Sequence, residues 1–198
     1  MRRGPSGVPD DGSDADVVAD VLAGQPERFR LLVERHEDAL FRHALSLGMD
    51  RDTAADMVQD TLVRAWERLS ECRDPARFRL WAGRILRNRC LDRLKSARQR
   101  TTTSLESLPN GALGPDESRE GNPESEAELR SLEAALDGAL ATLPPDLAEA
   151  FVLKHVEGFS YDEMAEMTEV SRSALKMRVH RARDAIRACL EASGFEPM

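Results

Sequence analysis

Aromatic residues make up only 5% of the 198-residue chain, with two tryptophans and one tyrosine, whereas charged residues reach 32% and hydrophobic residues 41%. That balance suits helices with one buried stripe and one solvated face, and no strand pattern or internal repeat stands out. Cysteine is also sparse. Cys72, Cys90 and Cys189 are odd in number, far apart and without CxxC spacing, which argues against a disulfide framework or a zinc site and fits a reducing cytoplasm. No apolar run approaches the roughly 18 residues needed to span a bilayer, and Arg2 and Arg3 are followed by no apolar segment, so neither membrane insertion nor secretion is expected. There is no Gly-rich phosphate loop, metal-ligand cluster or nucleophile motif, and His36, His43, His155 and His180 are scattered. No enzymatic chemistry, cofactor or metal is expected.

What is present is charge in blocks. The formal net charge is -8, yet residues 77–100 hold nine Arg or Lys against Asp92 alone, and residues 172–187 hold six against Asp184 alone. Between them, residues 101–128 carry seven acids against Arg119 and are rich in Gly, Pro, Ser and Thr. Such a segment cannot bury enough apolar surface to offset its ordering entropy and reads as a flexible acidic linker. The first fifteen residues read as a loose tail, as do 191–198.

Helical periodicity runs over Asp16–Ala23, Pro26–Leu47, Arg51–Leu69 and Pro75 to about Ala97, then over Leu129–Thr142, Asp146–Glu157, Ser160–Thr168 and Ser171–Leu190. The fold expected is all-α, with two small helical domains at 16–100 and 129–190 joined by the linker.

Near the end of the second domain, Ser160 and Glu163 have capping-box spacing and Ser171 suits a second N-cap. Leu175, Val179, Ala182 and Ile186 then form one buried stripe. The opposite face carries Ser173, Lys176, Met177, His180, Arg181 and Asp184, with Arg172 and Arg178 on its flanks and Arg183 nearer the core. Cap, short turn and stripe together predict a helix-turn-helix whose last helix suits a DNA major groove.

In the first domain, the helix from Arg51 buries Val58, Leu62, Ala65, Trp66 and Leu69 by spacing and turns outward Asp52, Asp56, Gln59, Asp60 and Glu67, with Val63 among them. An apolar side chain in an acidic face suggests protein contact. The helix after the 70–74 loop has Phe78, Trp81, Ala82 and Ile85 as its stripe, and its arginines outnumber the local acids, leaving positive charge for phosphates.

These segments, in order, resemble the sigma-70 family, specifically its extracytoplasmic-function group. The resemblance rests on DRDTAADMVQDTLVRAW at 50–66, FRLWAGRILRNRCLDRLK at 78–95, LPPDLAEAFVLKHVEGFSYDEMAEM at 143–167 and ALKMRVHRARDAIR at 174–187. It implies a sigma factor whose first domain docks Asp56, Gln59 and Asp60, with Val63 beside them, on the clamp helices of the largest subunit of core RNA polymerase. It implies further that Ser70, Glu71, Cys72, Arg73 and Asp74, with Asn88, Arg89, Asp92 and Arg93, bind and help melt the minus-10 element of promoter DNA. Arg172, Ser173, Lys176, Met177, Arg178, His180, Arg181 and Arg183 would serve the minus-35 element, and an anti-sigma factor is a further candidate partner. The chain departs from the family's usual pattern at Ser173, Ala174 and Met177, so promoter preference is not carried over. Two other readings are a dimeric helix-turn-helix regulator, which leaves the first domain without a purpose, and a decoy for an anti-sigma factor, which has no use for Lys176, Arg178, Arg181 and Arg183.

Overall fold

A capping box opens the first helix. Ser13 Oγ accepts from the Asp16 N–H at 3.3 Å, and the Asp16 carboxylate accepts from the Ser13 N–H at 2.8 Å. Helix α1 (Asp14–Leu22) therefore begins two residues earlier than its apolar periodicity suggests, inside the stretch expected to be tail. The computed structural model describes residues 12–101 and 134–195, and among them every regular element is helical. Residues 1–11 and 196–198 of the expected tails, the linker after Thr101 and the start of the helix expected from Leu129 lie outside the described residues.

The stretch expected as one helix from Pro26 is a 3-10 turn, Pro26–Arg28, running into α2 (Phe29–Ser46). Helix α3 (Arg51–Glu67) is capped by Asp50, whose carboxylate accepts from the Thr53 N–H at 2.9 Å. It ends short of Leu69, where the chain tightens into the 3-10 turn Leu69–Glu71. After a further 3-10 turn at Pro75–Arg77, α4 runs from Phe78 to Thr101, so the linker expected from residue 101 starts no earlier than 102.

The second half contains α5 (134–142), α6 (Pro145–Phe151), a π turn at Val152–Val156, α7 (Tyr161–Thr168) and α8 (Arg172–Ala192). Helix α8 extends two residues into the expected tail. Both capping residues identified from sequence act as such: Ser160 and Glu163 form a reciprocal box, and Ser171 Oγ accepts from the Ala174 N–H at 3.3 Å. Glu169 adopts a left-handed conformation at φ 59° and ends α7, which sets the sharp turn into α8.

The first core joins Val17, Leu32, Ala54, Leu62, Phe78 and Leu86 from all four helices of the first half. Phe29 and Phe78 meet edge to face at 6.3 Å, a favoured aromatic arrangement. In the second half, Leu175, Val179, Ala182 and Ile186 are all buried, as their spacing requires.

Helix α4 departs from the simple stripe. Phe78, Ala82, Leu86 and Cys90 face the first core, while Trp81 and Ile85 are only half-buried. Leu80, on another side, is buried in a cluster with Phe159, Met164, Met167 and Leu175 of the second half. Gly83 lies at this contact, where a Cβ would meet the flexible end of Met167 at 2.9 Å from Cε. The helix is buried on two sides because the halves pack against each other.

Candidate polymerase and nucleic-acid surfaces

The inward side of α3 is apolar and tightly buried at Ala54, Val58, Leu62 and Ala65. Its outward side exposes Asp56 and Gln59, with Asp60 half-buried. Val63 is 55% exposed and Trp66 42%, so Trp66 is not the core residue its spacing suggested. Its ring only edges onto Phe29 at 5.1 Å. Three residues along the helix from Val63, Trp66 extends the acidic face with a second, larger apolar group. The stripe pattern hid it, because a tryptophan at the margin of a core fits the same periodicity as one inside it.

Asp60 is not free. It is ion-paired with Arg89 of α4, and its carboxylate lies 3.9 Å from Arg64 Nε. The structure thus joins a residue expected on the polymerase face to one expected on the minus-10 face.

The 70–74 loop leaves Ser70, Glu71, Arg73 and Asp74 exposed. Glu71 turns back to Arg68, accepting at 3.0 and 2.5 Å. Cys72 is buried, with its thiol 3.6 Å from the Asp74 carbonyl oxygen, and burial pushes its pKa up. A thiol held protonated is a poor sensor of oxidation. Further along α4, Asn88, Asp92 and Arg93 are exposed, roughly 15 Å or more from the loop end of the helix at about 1.5 Å per residue. Asp92 pairs with Lys95 at 3.7 Å.

Four arginines, Arg77 in the turn before α4 and Arg79, Arg84 and Arg87 in its first half, correct the expectation of surplus charge there. Each is matched by a carboxylate of the second half. Arg77 reaches Glu166 at 2.7 Å and Arg84 reaches Glu169 at 2.9 Å. Arg79 pairs with Glu157, donates to its carbonyl at 2.7 Å, and lies over the Phe159 ring at 4.4 Å. Glu157 also accepts from Arg42 Nε at 2.7 Å. Most deeply placed is Glu149, which accepts from Arg87 Nε at 2.7 Å and lies 3.1 Å from His43 Nε2. Burial opposes ionisation of Glu149, but the His43 hydrogen bond and the charges of His43 and Arg87 outweigh it and hold the carboxyl below its usual range.

On α8, Ser173, Lys176, Met177, His180, Arg181 and Arg183 are exposed, with Met177 at 54%. Several are engaged locally: Arg172 pairs with Asp162 at 2.5 Å, His180 with Asp184 at 2.8 Å, and half-buried Arg178 with Asp146 at 3.3 Å. Lys176 Nζ stands 5.7 Å from the Tyr161 ring centroid. The outward face therefore offers donors and an apolar tip on a rigid helix whose start is capped, the chemistry needed to read base edges.

Two family models match the chain. The model for sigma-70 region 2 matches residues 32–100, and that for sigma-70 region 4 matches 133–186. The RNA polymerase sigma factor CnrH of Cupriavidus metallidurans is 34% identical over 184 residues, covering 90% of this chain and 96% of CnrH. The ECF sigma factor SigL of Mycobacterium tuberculosis is 31% identical over 183 residues, covering 89% and 97%. Against the ECF sigma factor SigE of Mycolicibacterium smegmatis, identity is 32% over 83% of this chain, which spans 62% of that longer protein. The sigma factor RpoE of Bartonella quintana, solved with the anti-sigma factor NepR, superposes with a TM-score of 0.66 at 27% identity, covering 82% of this chain and 96% of that one. CnrH, solved with the cytosolic domain of CnrY, gives 0.59 at 28% identity, covering 91% and 99%. The chain belongs to the sigma-70 family, in its extracytoplasmic-function group. Proteins of this class bind RNA polymerase and initiate transcription, and among the described residues no helix is long and apolar enough to cross a membrane.

Proposed function

We propose that the chain acts in the cytoplasm as a promoter-specificity factor with no reaction of its own, using three surfaces for three tasks. The domain at 16–100 docks on the clamp helices of core RNA polymerase through Asp56, Gln59, Asp60, Val63 and Trp66. Its 70–74 loop and Asn88, Arg89, Asp92 and Arg93 engage the minus-10 element and help melt it. The domain at 129–190 reads the minus-35 element with α8. The observation that carries this reading is the pairing of an acidic face bearing exposed Val63 and Trp66 with a separate basic helix-turn-helix on one chain. A dimeric regulator needs no such face, and a decoy needs no exposed Lys176 and Arg181.

Transcription in vitro with core polymerase on genomic fragments tests the whole reading: specific initiation that depends on this chain is expected, and none would overturn it. The docking surface has its own check. Asp56→Lys combined with Val63→Glu should weaken core binding at least tenfold while leaving helicity intact, because both side chains point to solvent and exposed acids add little stability. Asp60 is unsuitable for this purpose, since its reversal would also break the Arg89 pair. Unchanged affinity in a titration against core would count against the assignment.

A further inference from the structure

Two exposed side chains from different helices meet at the start of α8. Arg172 is the first residue of that helix and Asp162 lies in the first turn of α7, and Arg172 Nη1 donates to Asp162 Oδ1 at 2.5 Å. Both side chains are well exposed, so the pair adds little to stability. An acid beside this face also works against DNA binding, because it repels the phosphates of any duplex that α8 approaches. What it supplies is order. An arginine side chain gives up much rotational freedom when it binds, and a guanidinium already fixed at one end loses less.

The backbone beneath Arg172 is fixed as well. Ser171 Oγ caps α8 through the Ala174 N–H and also meets Ser173 Oγ at 3.2 Å, while Glu169, left-handed at φ 59°, sets the turn before it. With Nη1 held by a carboxylate, the guanidinium keeps its other edge, where Nε–H and one Nη2–H lie side by side, and among the described residues Asp162 is its sole ion-pair partner. Two parallel donors match O6 and N7 of guanine in the major groove. Arg172 stands on the flank of the outward face, but at the end of the helix that a helix-turn-helix turns toward base edges.

We propose that Asp162 is a positioning residue, holding Arg172 ready to read one guanine of the minus-35 element. This rests on the reading of α8 as the minus-35 helix.

Selection of minus-35 variants by holoenzymes tests it, with circular dichroism verifying that each variant keeps its helicity. Wild type should prefer guanine at one position where Arg172→Ala and Arg172→Lys lose that preference by roughly fivefold or more, lysine failing because it keeps the charge but not the fork. Asp162→Ala should lower the same preference about two- to tenfold, while binding to unrelated sequences tightens because an acid has gone. Asp162→Asn keeps an oxygen that accepts from Nη1. It should keep most of the preference, yet tighten non-specific binding as much as alanine does, and that split separates orientation from charge. Equal tightening on all sequences by both Asp162 variants, with the guanine preference intact, would make Asp162 a plain surface acid and overturn the proposal. So would an Arg172→Ala holoenzyme weakened alike on every sequence, the mark of a phosphate contact. A wild-type holoenzyme indifferent to the whole minus-35 element is a different failure, in which the reading of α8 falls and the proposal with it.

Discussion

Glu149→Ala should cost about 3–5 kcal/mol of unfolding free energy, because it strands the largely buried Arg87 guanidinium beside His43. Glu149→Gln should cost less, since an amide oxygen still accepts from Arg87 Nε. Urea unfolding followed by circular dichroism gives the loss. Fluorescence of Trp66 and Trp81, both in the first half, shows whether the halves unfold together. A loss below about 1 kcal/mol would mean that water reaches Arg87 in the native state.

The same carboxyl sets part of the acid response. A group whose folded pKa is depressed stabilises the fold above its unfolded pKa and loses that contribution as pH falls through the folded one. Glu149 and the capping acids Asp16, Asp50 and Glu163 are all held low, Asp16 and Glu163 by hydrogen bonds from Ser13 and Ser160, and Asp50 by hydrogen bonds from Thr53. His36 is held low first by burial, with the neighbouring Asp14 opposing, so its contribution starts to fade near pH 6.5. Stability should therefore decline gently below about pH 6.5 and steeply below about pH 4.5, the steep part shrinking in Glu149→Gln.

Arg181→Ala should leave stability unchanged yet cost the holoenzyme about 1–3 kcal/mol at its minus-35 element, or roughly 5- to 150-fold, and relax preference at one or two base pairs. Arg181 is exposed on the outward face of α8, free of the local ion pairs that engage Arg172 and Arg178. Arg183→Ala should weaken all sequences about equally, as expected of a phosphate contact. Arg178→Ala should act partly through the fold, because Arg178 ties α8 to Asp146 at the start of α6. Selection of minus-35 variants by each holoenzyme separates these outcomes, and identical preferences for wild type and Arg181→Ala would show that another side chain reads the bases.

The helix-turn-helix was readable from sequence because everything that specifies it is local. The Ser160 box, the Ser171 cap and the stripe from Leu175 to Ile186 all lie within 27 residues and follow from backbone hydrogen bonding and helical period. The acidic face of α3 was readable for the same reason, except at Trp66, where period alone cannot tell the margin of a core from its centre. The partners of the α4 arginines were not readable. Glu149 and Glu157 sit more than 60 residues along the chain from Arg87 and Arg79, and nothing in a helical repeat couples them. Counting only nearby acids left those arginines unmatched when tertiary packing had already matched them. The Asp60–Arg89 pair is hidden in the same way, since helical spacing places its two members on different surfaces.

That pair means the two surfaces do not share energy additively. Asp60→Ala frees Arg89 while it removes a docking carboxylate, and Arg89→Ala releases Asp60 toward the polymerase face while it removes a cation from the DNA face. Each single substitution therefore mixes a loss on one ligand with a changed neighbour on the other. A double-mutant cycle, run once against core polymerase and once against promoter DNA, should return a coupling energy of about 0.5–3 kcal/mol in each. The pair is in this sense a shared account between protein and nucleic acid, and alanine scans of either surface alone will misassign its entries.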